Sequence, residues 1–232
     1  MPVTYPNIVS AIFISRPNRF VAHVLLEGKE EIVHVKNTGR CRELLVPGAR
    51  VYLTKSDNQN RKLAYDLVAV EKETENGTLL INMDSQAPNA AAEEWIKSCG
   101  MFSSGAKVRR EVTFGASRFD IFVSDGDRKA FVEVKGVTLE HGGIASFPDA
   151  PTERGVKHIE ELTACINAGY EACILFVVQM KGISLFRPND ETHAAFGNAL
   201  RRAGMLGVNI LVYDCIVTPD SMFIDSAVPF EL

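Results

Sequence analysis

No run of this chain approaches the ~18 consecutive apolar residues by which a membrane-crossing helix is recognised. The segment Met1-Pro2-Val3-Thr4-Tyr5-Pro6 carries neither the basic nor the apolar region of a secretory signal. Both absences lead to the expectation of a cytoplasmic protein with no membrane partner. Cysteine is sparse: Cys41, Cys99, Cys165, Cys173 and Cys215 contain no Cys-x-x-Cys pair and their number is odd, which favours buried free thiols over structural zinc or a disulfide framework. The single tryptophan, Trp95, falls on a predicted helix. Few platforms are then left for stacking a sugar, and a carbohydrate-binding module is correspondingly weakly supported. The net charge of −4 also lacks the overall basic balance of a typical nucleic-acid binder.

What is present is an ordinary globular composition, 46% hydrophobic and 23% charged over 232 residues. That is more than one typical domain and enough to bury a full core. Two domains are expected, residues 1–83 and 84–232. Charge is spread unevenly between them. Arg16 to Lys62 holds ten Lys and Arg against five Asp and Glu, a net of +5, which leaves −9 for the remainder. Such a division lets one part hold a phosphate backbone while another holds a cation, although two solvated surfaces of chance asymmetry give the same count.

The first part reads as all β. Short strands are expected near Ile12–Ser15, Arg19–Glu27, Glu31–Lys36, Arg50–Thr54, Leu63–Glu71 and Leu79–Ile81. Turn clusters separate them, at Arg16-Pro17-Asn18, Glu27-Gly28-Lys29, Asn37-Thr38-Gly39, Val46-Pro47-Gly48 and Glu75-Asn76-Gly77. Five or six short strands suit a small barrel of the OB type, whose sheet face receives oligonucleotides; an SH3-like barrel gives nearly the same pattern. Arg16, Arg19, Lys36 and Arg40 are the cations expected on that face.

After Asp84 the pattern alternates between helix and strand. A helix is expected over Asn89–Ser98, strands over Lys107–Phe114, Arg118–Val123 and Ala130–Val134, and a loop over Gly136–Pro151 long enough to act as a lid. A helix capped by Thr152 then runs to about Ala168, a buried parallel strand spans Ala172–Val178, a helix Asp190–Arg202 and a last strand Val208–Val217. The fold class is therefore α/β with an N-terminal all-β barrel, and the second sheet is mixed.

The chemistry concentrates at Asp120, Glu133 and Lys135. Their two strands flank the turn signal Ser124-Asp125-Gly126-Asp127. Period-two alternation puts Phe119, Ile121 and Val123 on one face with Val132 and Val134, and Asp120 on the other with Glu133 and Lys135. A loop from Asp125 to Arg128 sets Asp120 opposite Glu133; a two-residue loop is expected to make the pair diagonal. Facing carboxylates destabilise a sheet unless a positive charge lies between them. A hard cation, Mg²⁺ or Mn²⁺, suits this oxygen-rich corner, and Lys135 emerges on the same face to orient or activate water, as in a metal-dependent nuclease. An ordinary Glu133/Lys135 charge pair is the plainer alternative.

Arg154, Lys157 and His158 share one face near the N-terminus of the Thr152 helix, where phosphate is favoured, or form a solvated basic face with Glu161. Gln179 is expected at the end of its strand, either lining the cleft or leaving for solvent. Glu111 is weighed as a further acid and His141 as a loop histidine near substrate, each with a solvated alternative.

The segments Asn18-Arg19-Phe20, His34-Val35-Lys36-Asn37-Thr38-Gly39-Arg40 with Leu44-Leu45-Val46-Pro47-Gly48, Ser117-Arg118-Phe119-Asp120, Val132-Glu133-Val134-Lys135, and Phe147-Pro148-Asp149-Ala150-Pro151-Thr152-Glu153-Arg154-Gly155-Val156-Lys157-His158 resemble the sugar fermentation stimulation protein A (SfsA) family along essentially the whole chain. The resemblance implies an OB-fold domain, a C-terminal domain of the PD-(D/E)xK nuclease type and DNA binding linked to regulation of sugar metabolism. It places the nuclease motif on Asp120, Glu133 and Lys135, with Ser117-Arg118-Phe119 where many such nucleases have Pro before the Asp. DNA is the expected partner, with RNA left open. A non-catalytic DNA-binding regulator is the alternative.

Overall fold

The computed structural model describes residues 2–37, 39–56, 58, 60–75 and 77–232. Thr38 and Asn76, at the centre of two expected turns, and Asp57, among the acids counted above, lie outside the described residues. The first strand, β1 (Val3–Thr4), precedes a barrel made of β2 (Ile8–Asn18), β3 (Val21–Leu26), β4 (Lys29–Val35), β5 (Arg50–Lys55), β6 (Tyr65–Thr74) and β7 (Gly77–Asn82). The strand order is β4-β3-β2-β5-β6-β7, and parallel pairing of His34 with Asp66 and Val35 with Leu67 closes it. Alternation builds the interior: Ala11 and Phe13, Ala22 and Val24, Val33 and Val35, and Val51 and Leu53 are all buried. In β6 Asp66 through Val70 are buried without a break, since both faces of that strand are covered. Glu27 and Gly28, both at positive φ, make the two-residue turn that matches strand twist between β3 and β4.

The second sheet has seven strands. Their order is β1-β16-β15-β13-β10-β9-β8, drawn from β8 (Lys107–Phe114), β9 (Ser117–Asp125), β10 (Arg128–Val137), β13 (Glu171–Val178), β15 (Asn209–Thr218) and β16 (Ser221–Ala227). β10, β13 and β15 run parallel at its centre. Helix α1 (Ala87–Ile96) packs its alanines with Ile121, Val132, Val134 and Leu175 on one face. Helices α2 (Glu153–Asn167) and α3 (Asp190–Met205) cover the other, where Ile159 and Leu162 meet Phe119, Phe131 and Phe176. Thr152 caps α2, its hydroxyl accepting from the Gly155 N–H at 3.0 Å.

Several elements depart from expectation. Residues 136–151 are not an irregular lid. They hold a hairpin of β11 (Leu139–His141) and β12 (Ile144–Phe147), turned at Gly142-Gly143, and β12 pairs in parallel with β14 (Leu185–Pro188). That partner lies about forty residues away, beyond the reach of local periodicity. β16 was not foreseen, and β1 pairs with it, so the start of the chain joins the second sheet and not the barrel. The two halves are tied together by polar contacts. The Gln179 amide donates to the Asn82 backbone and side-chain oxygens at 3.0 and 3.1 Å and to the Asp84 carbonyl at 3.2 Å, and the Lys72 ammonium reaches the buried Glu140 carboxylate at 2.5 Å. Gln179 is 2% exposed, so it does not leave its strand for solvent.

Candidate metal and nucleic-acid site

The turn between β9 and β10 is Gly126-Asp127, and Asp125 pairs with Arg128. Counted from there Asp120 stands opposite Glu133, although a two-residue loop was expected to set the pair diagonal. Pairing stops one step earlier, at Ile121 with Val132. Beyond that point the Asp120 carboxylate replaces the ladder, its Oδ2 accepting the Val134 N–H at 2.8 Å. On the other side of β9, Glu111 has φ of +56° between the paired residues Arg110 and Val112. The alternation therefore breaks at Asp120. Ile121 and Val123 share the α1 face with Val132 and Val134, whereas Phe119 turns to the α2 face with Phe131, contrary to the simple period-two sorting.

Each carboxylate is held by its own set of donors. Asp120 Oδ1 accepts from the Asn89 amide of α1 at 2.8 Å. Glu133 Oε1 accepts from Lys135 Nζ at 2.6 Å and from His158 Nδ1 at 2.5 Å. The Arg154 Nε–H donates to His158 Nε2 at 3.3 Å, which leaves the ring proton on Nδ1, facing Glu133. Glu133 is only 2% exposed, and its second oxygen, Oε2, is buried without a partner. Burial pushes the Asp120 carboxyl above its ordinary range and the Glu133 charge adds to this, against the Val134 N–H, Lys135 and Asn89. Burial pushes Glu133 the same way, but the His158 hydrogen bond and Lys135 outweigh it and hold that carboxyl low. The two groups are thus driven apart in acidity.

Whether these residues suit a metal is decided by the donor set. Among the described residues no group of three or more His, Cys, Asp and Glu gathers as a metal cage, and a zinc site would require one. Two carboxylates, one with a buried oxygen lacking any donor, do fit an ion such as Mg²⁺ that keeps waters and takes further ligands from phosphate. An unpaired buried carboxylate oxygen is costly and calls for an explanation.

The cations expected on the barrel separate into two kinds. The Arg16 guanidinium donates to four main-chain carbonyls, of Gly39 and Arg40 at 2.9 Å, Arg19 at 2.7 Å and Asn37 at 2.6 Å. Lys36 is paired with buried Asp84 at 2.5 Å. Neither is the free phosphate contact expected of it, because each is consumed in fixing the segment that follows β4. Arg19 and Arg40 are exposed, and with Arg42 they border a groove of about 650 Å³. On α2, Lys157 and Arg154 are exposed, while His158 is buried against Glu133 and offers no surface contact. Glu111 and His141 are exposed, Glu111 3.6 Å from Arg118, and neither joins the carboxylate pair. Sequence reasoning missed Asn89, a polar residue in the first turn of a helix with nothing to mark its partner. It found His158 but assigned it to phosphate.

The fold is matched by known proteins. Residues 14–81 match the SfsA N-terminal OB domain and residues 86–221 the sugar fermentation stimulation protein RE domain. The chain belongs to the SfsA family. It is similar to sugar fermentation stimulation protein homologues of Desulfitobacterium hafniense, 56% identical over 94% of this chain and 93% of that one, and of Ruminiclostridium cellulolyticum, 51% identical over 98% and 99%. A solved structure, described as Pyrococcus furiosus SfsA in complex with Ca²⁺, superposes with a TM-score of 0.87 at 27% identity over all of both chains. Among the described residues no helix is long and apolar enough to cross a membrane.

Proposed function

We propose that this protein binds DNA through the exposed arginines of its barrel and that Asp120, Glu133 and Lys135 form a divalent-metal-dependent phosphodiester site in a nuclease-like domain of the PD-(D/E)xK type. The observation that carries the reading is the buried, unpartnered Glu133 Oε2 beside Asp120 and Lys135. The Pyrococcus furiosus relative, described with Ca²⁺ bound, adds support for a cation of the oxygen-seeking class. A bound Mg²⁺ or Mn²⁺ supplies charge neutralisation at the phosphate and a more acidic water. The chain's own residues do the positioning. His158 and Lys135 hold Glu133 Oε1 and leave Oε2 for a ligand, Asn89 and the Val134 N–H orient Asp120, and a remaining Lys135 Nζ proton would orient an attacking water. By its family name the protein is linked to sugar fermentation, which DNA binding at regulatory sites accounts for.

A second reading has its own observation. Lys135 and His158 both donate to Glu133 Oε1, so the lysine is engaged in an ion pair, as expected of a nuclease-like scaffold that only binds DNA. The test is a panel of plasmid, single-stranded DNA and RNA incubated with pure protein and Mg²⁺ or Mn²⁺, alongside identically purified Lys135→Ala. Cleavage above the variant's background, with DNA affinity equal in both, is the expected result. Equal binding with no cleavage above that background favours the regulator.

A further inference from the structure

Two segments singled out in the sequence, Asn37-Thr38-Gly39-Arg40 and Phe147-Pro148-Asp149-Ala150, are not used by the carboxylate pair, yet the fold brings described residues of both to one place. A cleft of about 260 Å³ lies between the halves, lined by Asn37 and Gly39 from the barrel and by Ser146, Phe147 and Asp149 from the segment before α2. A Cβ on Gly39 would lie 2.7 Å from Asp149 Oδ2 and 2.9 Å from Asn37 Oδ1, so two acceptor oxygens converge over its bare backbone. The Arg16 clamp on the carbonyls of Asn37, Gly39 and Arg40 fixes this wall. Among the described residues no side-chain hydrogen bond or ion pair engages Asp149, and it is not among the residues with further partners. The Asp149 carboxylate is half-exposed at this cleft, where a donor carried by a ligand can reach it.

The chemistry of the donor follows from what a carboxylate accepts. It offers two adjacent acceptor oxygens and no donor, so it pairs best with two adjacent N–H groups. Of the nucleic-acid bases only guanine presents such a pair, N1–H and the N2 amine, on the edge used in Watson–Crick pairing, and that edge is free only in an unpaired base. The volume suits one base, being below the ~300–1,000 Å³ of sites for larger ligands. Gly39 lines both this cleft and the arginine-bordered groove of the barrel, so the two lie on either side of one residue. We propose that this cleft is a pocket for a single unpaired guanine base, read by Asp149, while Arg19, Arg40 and Arg42 hold the phosphates of the same strand. The proposal rests on the nucleic-acid reading above and narrows it to a single-stranded, guanine-containing ligand.

The test is fluorescence anisotropy of the full chain with 15-nucleotide oligomers, all-T or with one central G, as DNA and as the U-based RNA, in buffer with EDTA and in parallel without it. The G-containing oligomer is expected to bind roughly tenfold more tightly than its G-free partner. In Asp149→Asn, which keeps the shape but presents one acceptor in place of two, that ratio falls to one. The DNA and RNA arms tell which strand is preferred. Equal binding of both oligomers by the native chain overturns the pocket while leaving nucleic-acid binding intact, and a preference that survives in Asp149→Asn overturns the assignment of the reader. A preference present only without EDTA makes Asp149 a cation ligand and overturns the base pocket. Absence of any binding removes the nucleic-acid reading and this proposal with it.

Discussion

Asp120 and Glu133 illustrate how the same residue type takes two roles from two settings. Glu133 is held ionised by His158 and Lys135, whereas burial and the Glu133 charge make ionised Asp120 a cost to the folded chain. A carboxyl whose folded pKa is raised weakens the fold as pH rises through the interval between its unfolded and folded values. Asp120→Asn removes that charge, and the amide can still meet the Val134 N–H with its oxygen and Asn89 with its NH₂. Metal-free Asp120→Asn is therefore expected to melt above the native chain at neutral pH. Adding Mg²⁺ should raise the melting temperature of the native chain, by ~2.7 kcal/mol of stability when metal exceeds its Kd a hundredfold, and should leave Asp120→Asn unmoved. Thermal melts with and without Mg²⁺ check both, and a native protein indifferent to millimolar Mg²⁺ contradicts the site. Arg16 poses the opposite case: Arg16→Ala strands four carbonyls and is expected to cost ~2 kcal/mol in urea unfolding.

The hairpin β11–β12 matters because it carries Glu140, the partner of Lys72 across the two halves. Burial pushes the Glu140 carboxyl up, but the Lys72 hydrogen bond and charge and the Gly143 N–H outweigh it and hold it low. A depressed folded pKa contributes stability that is complete above the ordinary carboxylate value of ~4.3 and is lost as pH falls through the folded value. Lys72→Met leaves Glu140 buried without its cation and is expected to cost ~3 kcal/mol at pH 7 and to flatten the acid limb of the stability curve. Urea unfolding from pH 7 down to pH 3 measures it. The local elements were legible: the barrel strands, α2 with its Thr152 cap and the buried strand β13 all announce themselves by alternation, capping or a continuous apolar run. β12, β14 and β16 did not, because their partners are distant in sequence. The carboxylate pair was legible as a spacing. Its geometry was not, since the break at Asp120 depends on Glu111 in a neighbouring strand and on Asn89 in a helix, contacts that no periodicity encodes.

Across the whole molecule the charge division has a structural counterpart, but a smaller one than the count of cations suggests. Of the four expected on the barrel face, Arg16 and Lys36 are consumed internally, leaving Arg19 and Arg40, joined by Arg42, to face solvent. Replacing these three with Ala should weaken DNA binding about equally for all sequences and reduce the slope of log affinity against log salt by roughly one per residue. An unchanged slope in the folded variant moves the phosphate surface to Arg154 and Lys157. The central claim, that Asp120 and Glu133 together hold a divalent cation, is tested most directly by anomalous diffraction from crystals soaked in Mn²⁺ and measured at the manganese edge. A single strong peak between the Asp120 carboxylate and Glu133 Oε2, absent in Glu133→Gln crystals soaked alike, is the result this structure predicts. Well-ordered Asp120 and Glu133 side chains with no anomalous peak between them would contradict it.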